Sequence, residues 1–316
     1  MTNTARYTGS VDPPERYNRF ISLPDGRTLA WAEAGSPTGF PLFFFHGFPG
    51  SRLEARGVED IGRRHDVRFI VPDRPGYGRS TFQPCRRITD WPGDVQYLAK
   101  HLDLERYAVL GGSGGGPQAL ACAHAIPSRT LASVGLLCSA APWEAGTRDV
   151  PWSARVGSWA ATYCPSLATK VLNFLLGIAE RLAASNAGKR FLDAVATKAA
   201  STAGKEIPES EKNPEAVKAR RERLLRVLLE PFAQGSKGFV QDAYLLTHPY
   251  GFRLEDVRFE RVQIWHGTRD WNSPIRMVRY MKERLPHCDL HELEGETHFT
   301  VMKHLEEIVR KLIEKR

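Results

Sequence analysis

Three residue types that can divide the work of nucleophilic catalysis occur in this sequence where apolar runs end. Tyr107-Ala-Val-Leu-Gly-Gly-Ser113-Gly-Gly-Gly-Pro117 holds a G-x-S-x-G pattern, Gly111 to Gly115, between an apolar run and a helix-forming segment. A serine in this setting sits on a sharp strand-to-helix turn, and its neighbours must be small because the backbone bends so tightly. The turn lifts the hydroxyl clear of the strand and presents it at a helix N-terminus, where developing negative charge is favoured. The same glycines admit a second reading, a relaxed G-x-G-x-x-A at Gly114, Gly116 and Ala119 that would cradle a dinucleotide phosphate. Pro117 intrudes on that pattern, and the next apolar run ends Leu136-Leu137-Cys138-Ser139 without the acid that would hold a ribose.

A serine hydroxyl is a poor nucleophile until an adjacent base takes its proton. On a strand-turn-helix elbow the partners follow in the order serine, acid, histidine. Val262-Gln-Ile-Trp-His-Gly-Thr-Arg-Asp270 is an apolar run entering a loop with one acid, and Leu290-His-Glu-Leu-Glu-Gly-Glu-Thr-His298 is another ending in histidine. Both candidates stand where a parallel strand would finish, the side on which open parallel sheets collect their sites.

The elements that must position these residues alternate along the chain. Residues 19–23 and 27–34 read as two strands joined at Pro24-Asp25-Gly26. Short apolar strands follow at 42–45, 67–71, 107–110, 133–138, 262–265 and 289–293. Between them come helical patterns at 53–64, 88–102, 115–125, 274–284 and 299–315. Near-continuously apolar strands alternating with helices predict an α/β fold with a mostly parallel eight-stranded sheet covered on both faces. Residues 141–235 break the rhythm: they show only helical patterns, divided by a polar stretch at 202–215, and predict a helical insertion after the sixth strand. The expected organisation is a core of residues 1–140 and 236–316 with the insertion at 141–235. The first stretch, to Tyr17, reads as a loosely held arm.

Composition agrees with a globular enzyme. Of 316 residues 42% are hydrophobic and 25% charged, which excludes disordered and collagen-like classes. The net charge of +8 invites an anionic partner, yet the densest basic run, Lys218 to Arg226, interleaves with Glu222 and an apolar stripe and reads as a solvated helix face. Neither nucleic acid nor a membrane is therefore expected as a partner, and the sequence leaves the oligomeric state open. Five scattered cysteines form no disulfide framework and no CxxC knuckle, and the N-terminal residues lack the apolar region of a signal peptide, so a cytoplasmic setting is expected. Cys122 and Cys138 sit in apolar segments and read as core thiols. His46 and His266 open HG turns and read as structural, as does Asp73; Glu294 and Glu296 are the rivals to Asp270. No metal or other cofactor is called for, since no H-E-x-x-H or comparable ligand spacing occurs.

With these pieces assembled, the sequence resembles the α/β-hydrolase superfamily over nearly its whole length. The resemblance rests on His46-Gly47-Phe48-Pro49-Gly50-Ser51, Asp73-Arg-Pro-Gly76-Tyr-Gly78-Arg-Ser80, the Ser113 elbow, the H-G-x-x-D-x-x-x-P loop from His266 to Pro274, and Gly295-Glu-Thr-His298. It implies Ser113 as nucleophile, Asp270 as acid, His298 as base, the insertion as a helical lid, and the backbone N–H groups of Phe48 and Gly114 as an oxyanion hole. HGFPGS is similar to epoxide hydrolases, which place Asp where this chain has Ser113, and that argues against epoxide opening. The expected function is hydrolysis of an ester, lactone or thioester of a small apolar or aromatic molecule. The alternatives are a carbon–carbon bond hydrolase on the same triad, a haloperoxidase-like member, and a non-hydrolytic biosynthetic protein or ligand-binding receptor. Pockets are mostly apolar, so of the insertion's aromatics Trp143 and Trp159 are expected to touch substrate.

Overall fold

A computed structural model describes residues 15–202 and 213–314. Eight strands form one sheet: β1 (Arg19–Ser22), β2 (Thr28–Gly35), β3 (Phe40–Phe45), β4 (Val67–Pro72), β5 (Tyr107–Gly112), β6 (Leu131–Leu137), β7 (Val262–Gly267) and β8 (Cys288–Leu293). Their spatial order is β1-β2-β4-β3-β5-β6-β7-β8. The pairs β1–β2 and β2–β4 are antiparallel, and every pair from β3 and β4 through to β7 and β8 is parallel. These positions reproduce the eight expected strands, with boundaries moved by a few residues.

The apolar strands are explained by what covers them. Successive side chains alternate between faces, so β3 sends Leu42 and Phe44 one way and Phe43 and Phe45 the other. The first pair packs with Ala55 and Val58 of α1 (Ala55–Arg64) and Leu305 and Ile308 of a last helix at Leu305–Ile313. The second pair packs with Trp91, Val95 and Leu98 of α2 (Trp91–His101), Ala119 of α3 (Gly116–Ala125), and Met277 and Val278 of a helix at Ile275–Arg284. A strand buried on both sides has no solvated face to write in polar residues.

Between β6 and β7 the chain forms α4 (Trp152–Tyr163), α5 (Pro165–Ala184), α6 (Asn186–Thr202), α7 (Pro214–Leu229) and α8 (Lys237–Leu245); the two helices named above by range are α9 and α10. Among the described residues this interval holds no strand. Pro165 separates α4 from α5, because the residue before a proline is driven out of the helical region, and Cys164 takes φ −140° and ψ 50°. Asn213 starts α7 by accepting the Ala216 N–H on its side-chain oxygen at 2.8 Å. Residues 203–212, most of the polar stretch that divides the insertion in sequence, lie outside the described residues, as do residues 1–14. The expectation of a loose arm up to Tyr17 fails at its far end. Glu15–Tyr17 is a 3-10 turn, Tyr17 is buried, its hydroxyl donates to Glu59 at 3.0 Å, and its carbonyl accepts from Arg52 Nε at 3.0 Å.

Candidate active site

The elbow forms as its glycines require. β5 runs into a 3-10 turn at Ser113–Gly115 and then α3, and Ser113 itself holds φ +50°, a conformation rare for a residue with a side chain. Such strain persists only where the surroundings over-determine it. Here they do: a Cβ on Gly115 would lie 2.2 Å from the Phe45 carbonyl oxygen, and one on Gly116 would lie 1.8 Å from Ser139 Oγ.

Ser113 Oγ lies 3.0 Å from His298 Nε2, and His298 Nδ1 lies 2.7 Å from Asp270 Oδ2. Asp270 follows β7 and His298 follows β8, so two loops at the carboxyl ends of parallel strands converge on the elbow after β5. The buried Asp270 carboxylate is fully engaged: Oδ1 accepts the N–H groups of Asn272 at 2.9 Å and Ser273 at 3.0 Å. With Oδ1 occupied, Oδ2 is the atom left to receive His298 Nδ1–H, which leaves Nε2 as the acceptor facing the serine. His266, also buried, lies 3.3 Å from Asp270 Oδ2 through Nε2 and 2.8 Å from the Ser273 carbonyl. Burial holds its pKa below the ordinary histidine value, so it serves as a neutral donor that orients the acid loop.

Cys138 lies behind this group, and its Sγ, with ligand atoms of Asp270 and His298, falls within 4.8 Å of one another. This is the described residues' single grouping with metal-like spacing. It overlaps the hydrogen-bonded trio, and burial raises the Cys138 thiol far above its usual range, so Cys138 is a neutral neighbour of Asp270 and His298.

Opposite the serine runs the loop from His46 to Ser51. A Cβ built on Gly114 would meet Phe48 Cβ at 2.5 Å and Phe48 N at 3.2 Å, so this loop and the elbow approach closely enough that only glycine fits. The loop is gripped from below. The buried Arg74 guanidinium donates from Nη1 to the His46 carbonyl and from Nη2 to the Gly47 carbonyl at 3.0 Å, while His46 Nε2 accepts the Arg74 N–H at 3.1 Å. Burial, with Arg74 beside it, keeps His46 well below the usual histidine pKa and therefore neutral, as an acceptor must be. Glu54 accepts the Gly47 N–H at 3.3 Å, and burial raises its carboxyl to about 7. Arg74 is held in turn by Asp242 of α8 at 2.9 Å, and Asp242 also binds Arg86; all three are buried. On the same helix Phe239 stacks on Phe48 with ring centroids 4.5 Å apart. Thus α8 fixes the loop by an ion pair on one side and a ring on the other.

A cavity of about 740 Å³ opens above Ser113, bounded by Phe48, Gly114, His298 and side chains of α4, α5 and α8. Of the two tryptophans expected to touch substrate, Trp143 lines it. Trp159 does not: it is 59% exposed on the outer side of α4, its ring against Tyr163. The face of α4 toward the cavity carries Ala154, Gly157 and Ala161 instead, and helical spacing puts Trp152, Trp159 and Tyr163 on the other side. Glu296 pairs with the exposed Lys303 and Glu294 with no member of the trio, so neither displaces Asp270. Asp73 braces Arg52, accepting its N–H at 2.6 Å and its guanidinium at 2.8 Å. Arg74, Glu54, Phe239 and Asp242 escaped the sequence reading. Arg74 lies inside a motif already singled out, but Asp242 carries no local signal because its partners are 168 and 156 residues away.

A mostly parallel sheet with a strained serine, a histidine and an acid hydrogen-bonded in series beyond its carboxyl ends is the architecture of an α/β hydrolase. The chain belongs to the α/β-hydrolase fold family, whose model matches residues 41–305. Among curated relatives it is 32% identical over 121 residues to a proline iminopeptidase of Arabidopsis thaliana, covering 36% of this chain and 30% of that protein. It is 37% identical over 112 residues to one of Xanthomonas citri, covering 33% and 34%. The matched region thus spans about a third of these relatives. Among solved structures, a carboxylesterase from Nitrososphaera gargenis superposes with a TM-score of 0.60 at 18% identity, covering 93% of this chain and 96% of that one. A bromoperoxidase from Bacillus anthracis does so with 0.59 at 17% identity, covering 94% and 99%. Likeness at that identity concerns the fold alone.

Proposed function

We propose that the protein is a serine hydrolase that cleaves an ester, lactone or thioester of a small, largely apolar molecule through an acyl-enzyme on Ser113. The observation that carries this reading is the continuous relay Ser113 Oγ–His298 Nε2 at 3.0 Å and His298 Nδ1–Asp270 Oδ2 at 2.7 Å, opening into an apolar cavity. His298 takes the serine proton as Oγ attacks the carbonyl, then returns it to the leaving alcohol or thiol. Asp270 keeps the imidazole in the tautomer that accepts at Nε2 and stabilises the imidazolium without taking its proton. The N–H groups of Phe48 and Gly114 stabilise the tetrahedral oxyanion, and water hydrolyses the acyl-enzyme by the same relay in reverse.

The relatives' name, proline iminopeptidase, suggests a substrate with a charged amino terminus. A cation drawn from water into this cavity would need a carboxylate to receive it, and among the described residues no Asp or Glu lines the space. The lining favours a neutral acyl group. The test is labelling by a fluorophosphonate probe together with turnover of p-nitrophenyl esters of graded chain length. We expect stoichiometric labelling that Ser113→Ala abolishes, and turnover that rises from acetyl to longer acyl groups. Folded protein that shows no Ser113-dependent labelling is a binding protein and not a hydrolase, and would sink the proposal.

A further inference from the structure

The cap helices wear their apolar side outward. On α4, Trp152 and Tyr163 are 77% and 73% exposed, and on α5 Phe174 and Leu182 are 69% and 63% exposed. At 3.6 residues per turn these positions, with Trp159 and Ile178, fall into one stripe that continues from α4 across the Cys164 break into α5. The inward side of α5 carries its hydrogen-bonding groups instead: Asn173 Oδ1 accepts the Ser236 N–H at 3.0 Å, and the Thr169 carbonyl accepts Ser236 Oγ–H at 3.1 Å. A helix on a water-facing surface normally has the opposite polarity, and an exposed apolar patch of this extent marks a contact surface.

We infer that this face seats the enzyme on an anionic phospholipid bilayer, with α4 and α5 lying in the headgroup plane. Three observations select that occupant. The stripe is rich in Trp, Tyr and Phe, the side chains suited to the water–hydrocarbon boundary. Its margin is basic: Lys170 and Arg181, three turns apart, follow one edge of the α5 stripe, and the exposed Lys189 and Arg190 lie on α6. The acids of these helices are spent or turned away, Asp193 binding Arg221 at 2.8 Å and Glu180 standing opposite the stripe. Finally, the face is continuous with the mouth of the cavity, because Val156, Leu167, Val171 and Phe299 are exposed and also line the space above Ser113. An apolar substrate dissolved in the bilayer would reach the serine without crossing water. A second copy of the chain fits less well, since a two-fold contact would set like cations of two α5 helices side by side and cover that mouth. This inference departs from the expectation of no membrane partner. No described helix is long and apolar enough to cross a membrane.

The experiment is flotation of the full chain with vesicles of phosphatidylcholine and phosphatidylglycerol, against phosphatidylcholine alone. Ser113→Ala is run in parallel, so that binding is read independently of catalysis. We expect co-flotation with the anionic vesicles that weakens with salt, equal for wild type and Ser113→Ala. Phe174→Ser/Leu182→Ser should lower partitioning by about tenfold or more, since two large apolar side chains leave the interface. Its hydrolysis of a soluble ester and its melting temperature should stay unchanged. Flotation with neither vesicle, or equal flotation of wild type and the double variant, overturns the inference. So does a lipid-free dimer, seen by sedimentation velocity, that the double variant abolishes, because the second copy would then be the occupant.

Discussion

Asp242 is the most informative residue to perturb, because it joins the cap side of the cavity to the loop that carries Phe48. It is buried between two buried guanidinium groups, Arg74 at 2.9 Å and Arg86, and these are the charges it neutralises. Asp242→Asn preserves shape and removes the charge, leaving two cations inside the protein with no anion between them. Breaking a buried ion pair by deleting one partner costs about 3–5 kcal/mol. For a chain of 316 residues the unfolding entropy is roughly 0.66 kcal/mol/K, so the melting temperature should fall by about 5–8 °C. The catalytic effect follows from the next contact. Arg74 is the donor to the His46 and Gly47 carbonyls, and a loop released from it misplaces the Phe48 N–H. Losing an oxyanion donor outright costs about 100- to 1000-fold in rate, so partial misplacement should lower kcat by about 10- to 100-fold with little change in KM. Arg74→Lys keeps the charge and loses the paired carbonyl contacts; it should lower kcat while sparing most of the stability. The assays are thermal denaturation followed by circular dichroism and steady-state ester hydrolysis on folded protein. A melting temperature of Asp242→Asn within about 2 °C of wild type, or an unchanged kcat in both variants, would refute the reasoning.

Three further outcomes follow from the same geometry. Asp270→Asn should reduce kcat by about 10⁴-fold without unfolding the protein, because Oδ1 accepts two backbone N–H groups and the amide NH₂ must then face His298, fixing the tautomer that cannot take the serine proton. An Asn variant with near wild-type kcat would refute the relay. The Glu54 carboxyl is raised from 4.5 to about 7 by burial, so the native state binds the extra proton and the stability it confers declines as pH rises between those values. Glu54→Gln should lose that slope and be the more stable protein at pH 8, by about 1–2 kcal/mol once partial exposure is allowed for; parallel slopes in denaturant titrations across pH would contradict this. Gly116→Ala puts a methyl 1.8 Å from Ser139 Oγ, and should cost about 1–3 kcal/mol in urea denaturation and misalign Ser113; an unchanged midpoint and activity would show that the elbow can yield.

The core was legible in the sequence for a physical reason that does not apply to the cap. Strands such as Leu42–Phe45 and Val262–Trp265 are apolar throughout because both sides of the sheet are covered, and the glycine-flanked serine is a pattern written in consecutive residues, although the groups that leave no room at Gly114, Gly115 and Gly116 come from Phe48, Phe45 and Ser139. Both signals are local, and the serine, acid and histidine inherit them because each stands directly after a strand. The cap sends no comparable signal. Its helices show that residues in the stripe share a side, but not whether that side faces the core or solvent, and so Trp159 was expected in the cavity and lies outside it.

Sequence by itself determined the alternation of strand and helix, the elbow at Ser113, and the order in which Asp270 and His298 follow it. These are patterns written within one turn or one strand. Tertiary structure alone decided how the two loops close on the elbow to bring His298 Nε2 within 3.0 Å of Ser113 Oγ, which side of α4 and α5 meets solvent, and that Asp242 neutralises Arg74 across 168 residues of chain. A buried ion pair or an inward-facing helix side is a relation between distant segments, and no local pattern encodes the partner.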